Sequence, residues 1–291
     1  MRKIALDCPA KLNLFLEVLG RRPDGYHDIA TVMVPVDLAD TIEIREARRY
    51  SLEVEGAELP GLNTVTRAWR AVRARRRIPG VRVRLVKRIP AGSGLGGGSS
   101  DAAAAIAALD LLFGLGLDRS EAGAEVGSDV NFFLQRGPAL CTGRGEAVAP
   151  LPAGPRLHAV VVWPGFPLST ADVYRRARES LTGARRDVID FLNRYARGDT
   201  DSLGRALFNR LETAAFALQP RLPALLRRLR RMPFAGARMT GSGSALFGLC
   251  ASRAEAERLA REAGKKIEAF IVATSTLSRG EPWKSPKSAS S

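Results

Sequence analysis

The chain has 291 residues, 45% of them hydrophobic, with 45 Lys and Arg against 30 Asp and Glu for a formal charge of +15. That hydrophobic share suits one large or two ordinary globular domains and excludes a disordered or collagen-like chain. No apolar run approaches the roughly 18 residues of a membrane-spanning helix.

Residues 1–20 read as strand, with Leu12, Leu14 and Leu16 alternating with Asn13 and Phe15. Arg21 to His27 reads as a turn, marked by Pro23 and Asp24-Gly25. Strands follow at Ile29 to Val36, Thr41 to Ile44 and Ser51 to Val54. A helix over Asn63 to Arg77 is set by the spacing of Val65, Ala68, Trp69 and Val72. Val81 to Val86 alternates with period two, a strand with one buried face. An Ala- and Leu-rich helix spans Asp101 to Phe113, with Gly114 as its stop. Leu140 to Pro155 carries a strand and then the crossing between domains. Beyond it the pattern predicts strands at Leu157 to Trp163, Ala245 to Cys250 and Ala269 to Thr274. Helices are predicted at Asp172 to Ser180, Asp187 to Ala196, Leu203 to Ala217, Leu222 to Arg231 and Ala254 to Ala263. The tail from Ser278, rich in Ser, Pro and Lys, is expected to be unstructured. No period of about 20–50 residues repeats. The expected architecture is α+β, with domains at 1–154 and 155–277 and a tail at 278–291.

The start, Met1-Arg2-Lys3-Ile4-Ala5-Leu6-Asp7, lacks the apolar segment of a signal peptide. Cys8, Cys141 and Cys250 are far apart and lack metal-type spacing, so a reduced, cytoplasmic setting is expected. The basic excess fits a nucleic-acid partner, attraction of small polyanions such as nucleotides, or arginines spread over solvated faces. Its clusters, Arg73 to Arg77 and Arg227 to Arg231, are separate and lack the interleaved aromatics of a single-strand binding surface.

The stretch Pro90-Ala91-Gly92-Ser93-Gly94-Leu95-Gly96-Gly97-Gly98-Ser99-Ser100 lies between a strand and a helix. Bare backbone N–H groups approach anionic oxygens closely, glycine reaches the positive φ angles of an anion nest, and the helix behind adds unsatisfied N–H groups and its dipole. The stretch therefore reads as a polyphosphate loop. Ser99 or Ser100 can cap the helix, and a hydroxyl there can also reach phosphate or Mg2+. A Walker A loop needs Lys after its last Gly, where Ser99 stands. Gly92, Gly94 and Gly97 match G-x-G-x-x-G, but no second strand ending in an acid follows, which argues against a dinucleotide fold.

This loop resembles the second motif of the GHMP kinases. Pro9-Ala10-Lys11-Leu12-Asn13-Leu14 resembles their first motif and Thr240-Gly241-Ser242-Gly243-Ser244-Ala245 their third. Arg22 to His27, Gly127-Ser128-Asp129-Val130, Phe132-Phe133, Leu168-Ser169-Thr170 and Asn209 with Leu211-Glu212 resemble the branch whose acceptor alcohol carries a cytidine diphosphate. The resemblance covers about residues 5–275. It implies an N-terminal ribosomal-protein-S5-like domain, a C-terminal ferredoxin-like α/β sandwich, and an ATP- and Mg2+-dependent small-molecule kinase, monomeric or homodimeric. Sibling kinases acting on homoserine or phosphomevalonate are the alternative within the family, and a basic nucleic-acid-binding module the alternative outside it.

The resemblance further implies Asp129 as base at the acceptor hydroxyl and Lys11 as its cationic partner. From the residues alone, Asp129 could cap a helix and Lys11 be a snorkelling lysine, although a lone charge among alternating leucines is costly unless it faces a cleft. Asn63 and Lys87 match positions near the nucleoside of ATP; a helix cap and a solvated strand residue are the alternatives. On the acceptor side the resemblance implies Tyr26 and Tyr174 on opposite faces of a cytosine, His27 at its edge, Asn13 and Thr170 lining the substrate, and Gly241, Ser242 and Gly243 closing on it. No metal ligand is assigned. The family branch usually has Pro where Asn131 and Ala171 stand here, and the helix within Leu117 to Gly127 is about a turn shorter. That predicts a displaced Asp129, enough to slow the reaction on the order of 10²-fold.

Overall fold

Strand β1 (Lys3–Arg21) and antiparallel β2 (His27–Ala47) form the spine of the larger sheet, in a register running from Lys3 opposite Arg45 to Arg21 opposite His27. The computed structural model describes residues 2–59, 61–152, 154–177 and 185–278. Parallel β3 (Ser51–Glu55) and β4 (Gly80–Val86) extend the sheet beyond β2, while β5 (Ala139–Gly143) pairs with the other end of β2 and carries β6 (Ala147–Pro150). β2 is one continuous strand where two were expected. Asp37 and Asp40 lie between the two expected strands, and tertiary partners satisfy both acids. Thr274 Oγ1, Ser275 N and Arg253 bond Asp37, while Arg88 N, Ile89 N and Lys87 bond Asp40.

Helix α1 (Thr64–Arg75) and helix α2 (Gly97–Phe113) cover one face. Ala102 to Leu109 in α2 are all at most 1% exposed, because small side chains let neighbours approach from every side, the signature of a core helix. The Ala-rich helix starts at Gly97, four residues ahead of its expected start, and ends on left-handed Gly114 as expected. Short helices α3 (Arg119–Val126) and α4 (Val130–Gln135) pack beside it.

The second sheet is wholly antiparallel. Its strands are β7 (His158–Trp163), β9 (Gly236–Met239), β10 (Leu246–Cys250) and β11 (Phe270–Ser275), in the order β11-β7-β10-β9. Helices α5 (Thr170–Ala177), α8 (Glu212–Leu218), α9 (Arg221–Arg230) and α10 (Arg253–Gly264) share a core with it, giving the ferredoxin-like layering expected. Helices α6 (Val188–Arg197) and α7 (Thr200–Ala206) lie between the sheets, with Phe191, Tyr195 and Leu203 in the core that joins them.

The single helix expected over Leu203 to Ala217 is two helices split by β8 (Phe208–Asn209), which pairs parallel with Phe15 and Leu16 of β1. Pairing with β1 overrides helical periodicity there, and the second half of the chain thereby completes the first sheet. Beyond Ser278 the expected tail lies outside the described residues, as do Arg178, Glu179 and Ser180 of the helix expected over Asp172 to Ser180.

Alternation along β1 sets up the site. Ala10, Leu12 and Leu14 join the core against Val161 and Phe247 of the second sheet, which turns Lys11 and Asn13 to the opposite face.

Candidate active site

Lys11 and Asn13 open into a cleft of about 1040 Å³ lined by both halves of the chain. Lys11 is only 3% exposed. Its Nζ donates to Asn13 Oδ1 at 2.5 Å and to Gly94 O at 2.6 Å. Asn13 is itself fixed, Nδ2 donating to Thr31 Oγ1 at 2.8 Å and its backbone N to Thr240 Oγ1 at 3.0 Å. Burial lowers the Lys11 pKa, and the charge of Asp129, acting through space, opposes that shift. Asp129 occupies the N-cap position of α4 without a side-chain capping bond, so its carboxylate is left facing the cleft rather than used as a cap. The missing Cβ of Gly145, in the β5–β6 turn, would lie 3.5 Å from Asp129 Oδ1.

Two departures near Asp129 belong together. Gly123 in α3 has no room for a Cβ, which would stand 2.3 Å from Asn131 Oδ1 and 2.9 Å from Leu134 Cδ1. The glycine that weakens α3 is what lets it cross α4 closely, with Asn131 beneath it.

The glycine loop lines the cleft with Pro90, Ala91, Gly92, Ser93, Gly94, Gly96, Gly97, Gly98 and Ser99. Leu95 and Ser100 are fully buried and do not face it. Gly92, Gly94 and Gly96 have φ of +62°, +80° and +76°, which side chains disfavour. Gly94 also needs to be bare for a second reason, since a Cβ there would stand 2.4 Å from Thr240 O. The second and third motifs therefore touch backbone to backbone. The serine cap is not formed: left-handed Gly96 begins α2, and Ser99 and Ser100 lie inside its first turn. The N–H groups at the start of a helix have no intrahelical partner, so those at Gly97, Gly98 and Ser99 form the kind of helix start that suits an anion.

Asn63 caps α1, its Oδ1 accepting from Thr66 N at 3.0 Å, while also lining the cleft. Lys87 is a buried link rather than a solvated residue. Its Nζ donates to Asp101 Oδ2 at 2.6 Å and to Asp40. Burial works against the ammonium, but the two carboxylates outweigh it and hold its pKa above the ordinary value. Burial pushes the Asp101 pKa up to about 7, with Asp40 adding to the rise and Lys87 opposing it.

At the acceptor end, Tyr26, His27 and Tyr174 all line the cleft. They do not leave an empty slot between Tyr174 and His27, whose ring centroids are 5.3 Å apart. Tyr26 is 55% exposed and carries the Arg144 guanidinium 4.8 Å from its ring centre. Thr170 Oγ1 and Ser242 Oγ are 2.9 Å apart. Gly241 and Ser242 line the cleft, whereas Gly243 turns inward, where a Cβ would meet Met239 Sδ at 2.6 Å. Sequence reasoning missed Arg144, Asp24 and Ser128 as lining residues. A basic residue between two glycines, Gly143-Arg144-Gly145, was the available signal for a tight turn projecting a cation.

A carboxylate, a buried ammonium and a helix-backed glycine loop on one cleft are the parts of a phosphoryl-transfer site. Family models for the GHMP kinases N terminal domain and the GHMP kinases C terminal region match residues 63–137 and 189–269. The chain is 39% identical over 271 residues to the 4-diphosphocytidyl-2-C-methyl-D-erythritol kinase of Pelotomaculum thermopropionicum, covering 90% of this chain and 94% of that protein. It is 43% identical over 254 residues to the enzyme of the same name from Solibacter usitatus, covering 84% and 80%. The chain belongs to the 4-diphosphocytidyl-2-C-methyl-D-erythritol kinase branch of the GHMP kinase family.

A crystal structure of 4-(cytidine 5'-diphospho)-2C-methyl-D-erythritol kinase shares this fold with a TM-score of 0.80 at 37% identity, covering 94% of this chain and 100% of that one. As a GHMP kinase the chain is an ATP-dependent small-molecule kinase. No described helix is long and apolar enough to cross a membrane.

Proposed function

We propose that this GHMP kinase transfers the γ-phosphoryl group of ATP to the 2-hydroxyl of 4-diphosphocytidyl-2-C-methyl-D-erythritol, a step of the non-mevalonate route to isoprenoid precursors. The observation that carries the reading is the meeting of Lys11, Asp129 and the glycine loop on one cleft. Its volume of about 1040 Å³ is at the upper end of single-ligand sites, which suits two ligands placed end to end.

Asp129 accepts the proton of the acceptor hydroxyl, whose oxygen forms the new bond to the γ-phosphorus as the bond to the β-phosphate oxygen breaks and ADP leaves. Lys11 faces the developing charge on the transferred group. Residues 90–94 and 96–99 cradle the phosphates, with Asn63 and Lys87 toward the nucleoside. Asn13, Tyr26, His27, Thr170, Tyr174, Gly241 and Ser242 hold the cytidine diphosphate alcohol, and Gly243 supports that wall from behind. Among the described residues no group of three or more His, Cys, Asp or Glu is gathered for a metal. The Ser99 hydroxyl at the helix start is the protein oxygen that would face a Mg2+ brought in with ATP. When bound, Mg2+ neutralises charge on the β- and γ-oxygens. We read the chain as domains at 1–154 and 155–277 with a tail at 278–291, working in the cytoplasm on ATP and this acceptor, without a nucleic-acid partner.

Purified chain given ATP, Mg2+ and the cytidine substrate is expected to release ADP in a coupled assay. Turnover of homoserine or phosphomevalonate instead would move it to a sibling activity. Asp129→Asn is expected to keep nucleotide binding by calorimetry and lose about 10²–10⁴-fold in kcat. An intact rate removes Asp129 from the mechanism.

A further inference from the structure

Asn209 lies outside the cleft, at the end of β8, and is 4% exposed. Its side-chain Nδ2 donates to two carbonyls, Met239 O and Gly241 O, both at 2.8 Å, while Oδ1 accepts from Leu211 N at 2.9 Å. Three residues on, Glu212 Oε1 accepts from Met239 N at 2.9 Å. One four-residue turn thus holds three backbone groups at the entry to the third motif. From the opposite side, Thr240 Oγ1 accepts from Asn13 N at 3.0 Å and donates to Asn13 Oδ1 at 3.2 Å.

Gly241 stands between these two grips. A Cβ on it would be 2.9 Å from both Lys11 Nζ and Gly94 O. Gly241 and Gly243 have φ of +56° and +83°, a conformation that a glycine-rich loop leaves readily unless outside bonds hold it. A primary amide offers two N–H donors and an acceptor, the set these three partners require. The turn is anchored in the strand that bears Lys11, because Asn209 pairs with Leu16 of β1 and Arg210 forms a two-pronged bond to the buried Glu17 at 2.7 and 2.8 Å.

We propose that Asn209 is a positioning residue for phosphoryl transfer, holding Gly241 against Lys11 and so fixing the wall of the reacting end. The proposal rests on the kinase reading above, but its effect on the loop can be read without turnover.

Two variants test it. Asn209→Ser keeps one donor and removes little bulk; Asn209→Asp keeps the shape and presents a carboxylate to both carbonyls. Amide hydrogen exchange is followed across the chain, and kcat and KM are expressed per folded molecule, with the folded fraction taken from circular dichroism. Amides of residues 239–245 are expected to exchange at least about tenfold faster in both variants, with those of α2 and of β1 unchanged except Asn13, whose N–H is held by Thr240. The kcat is expected to fall about tenfold in N209S and about 10²-fold in N209D, with KM for ATP within about twofold. Unchanged exchange at 239–245 overturns the proposal. So does local loosening with kcat intact, and so does exchange that rises evenly over the whole chain. If the unsubstituted chain releases no ADP from this acceptor, the kinase reading fails, while the exchange data still decide whether Asn209 clamps the loop.

Discussion

At Gly94 one added carbon would collide with Thr240 O at 2.4 Å and with Gly243 O at 2.9 Å, on a backbone already at φ +80°. Its own carbonyl accepts from Lys11 Nζ, so the same residue serves the glycine loop, the third motif and the buried lysine of the cleft. Gly94→Ala is expected to lower the free energy of unfolding by at least about 1–2 kcal/mol from the left-handed backbone alone. Nucleotide affinity measured by calorimetry is expected to fall at least about tenfold, since the loop must shift to relieve the collision. Normal stability together with normal affinity would show that the three motifs are not packed as described.

Helix α2 is held at its first turn by charge as well as by packing. Lys87 at the end of β4 ties Asp101 of α2 to Asp40 of β2, all three side chains at most 5% exposed. Two carboxylates around one ammonium are stable in a dry interior only while the cation is present. Lys87→Met removes the cation, keeps a similar stem and strands both acids. It is expected to cost about 3–5 kcal/mol in urea unfolding, the range for breaking a buried ion pair from one side. A cost near zero would mean that water reaches these groups and that the link does not hold the helix.

One strand joins the two halves of the chain. β1 carries Lys11 and Asn13 on one face, packs Ala10, Leu12 and Leu14 against the second sheet, and pairs with β8 from the second half of the chain. The cleft therefore does not depend on a mobile junction between separate bodies. One carboxyl in this frame binds its proton more tightly folded than unfolded: Glu212, whose pKa burial pushes up to about 7. It adds stability that is complete below about pH 4, the ordinary carboxyl range, and is lost as pH rises through about 7. Unfolding free energy is thus expected to decline between about pH 5 and about pH 8. Glu212→Gln removes its part of that slope, on the order of 3 kcal/mol across the range. An unchanged slope in E212Q would contradict a carboxyl held protonated there. Two arginines of the 73–77 cluster have surface partners: Arg75 pairs with Glu125 at 2.7 Å, and Arg73 lies 5.2 Å from the Trp69 ring.

Much of this protein is local chemistry and so was readable along the chain. The glycine loop between strand and helix, the Gly114 stop and the alternation that puts Lys11 beside Asn13 each depend on a few neighbouring residues, whose conformational preferences are carried in their own side chains. What the chain did not disclose depends on partners distant in sequence. The stretch with Asp37 and Asp40 remained a strand because Thr274, Arg253 and Lys87 satisfy the acids. The 203–217 helix broke because β1 offered Phe208 and Asn209 a better pairing, and Ser99 lost its capping role to the left-handed turn at Gly96. Sequence by itself marked the glycine loop as a phosphate-binding stretch, because phosphate binding needs a bare backbone ahead of a helix, and the kinase chemistry followed from the resemblance of three motifs to the GHMP kinases. Only the tertiary structure decided how that chemistry is held in place, because Thr240 bonds Asn13 across 227 positions while Asn209 holds Gly241 from the other side, and no local pattern encodes such a meeting.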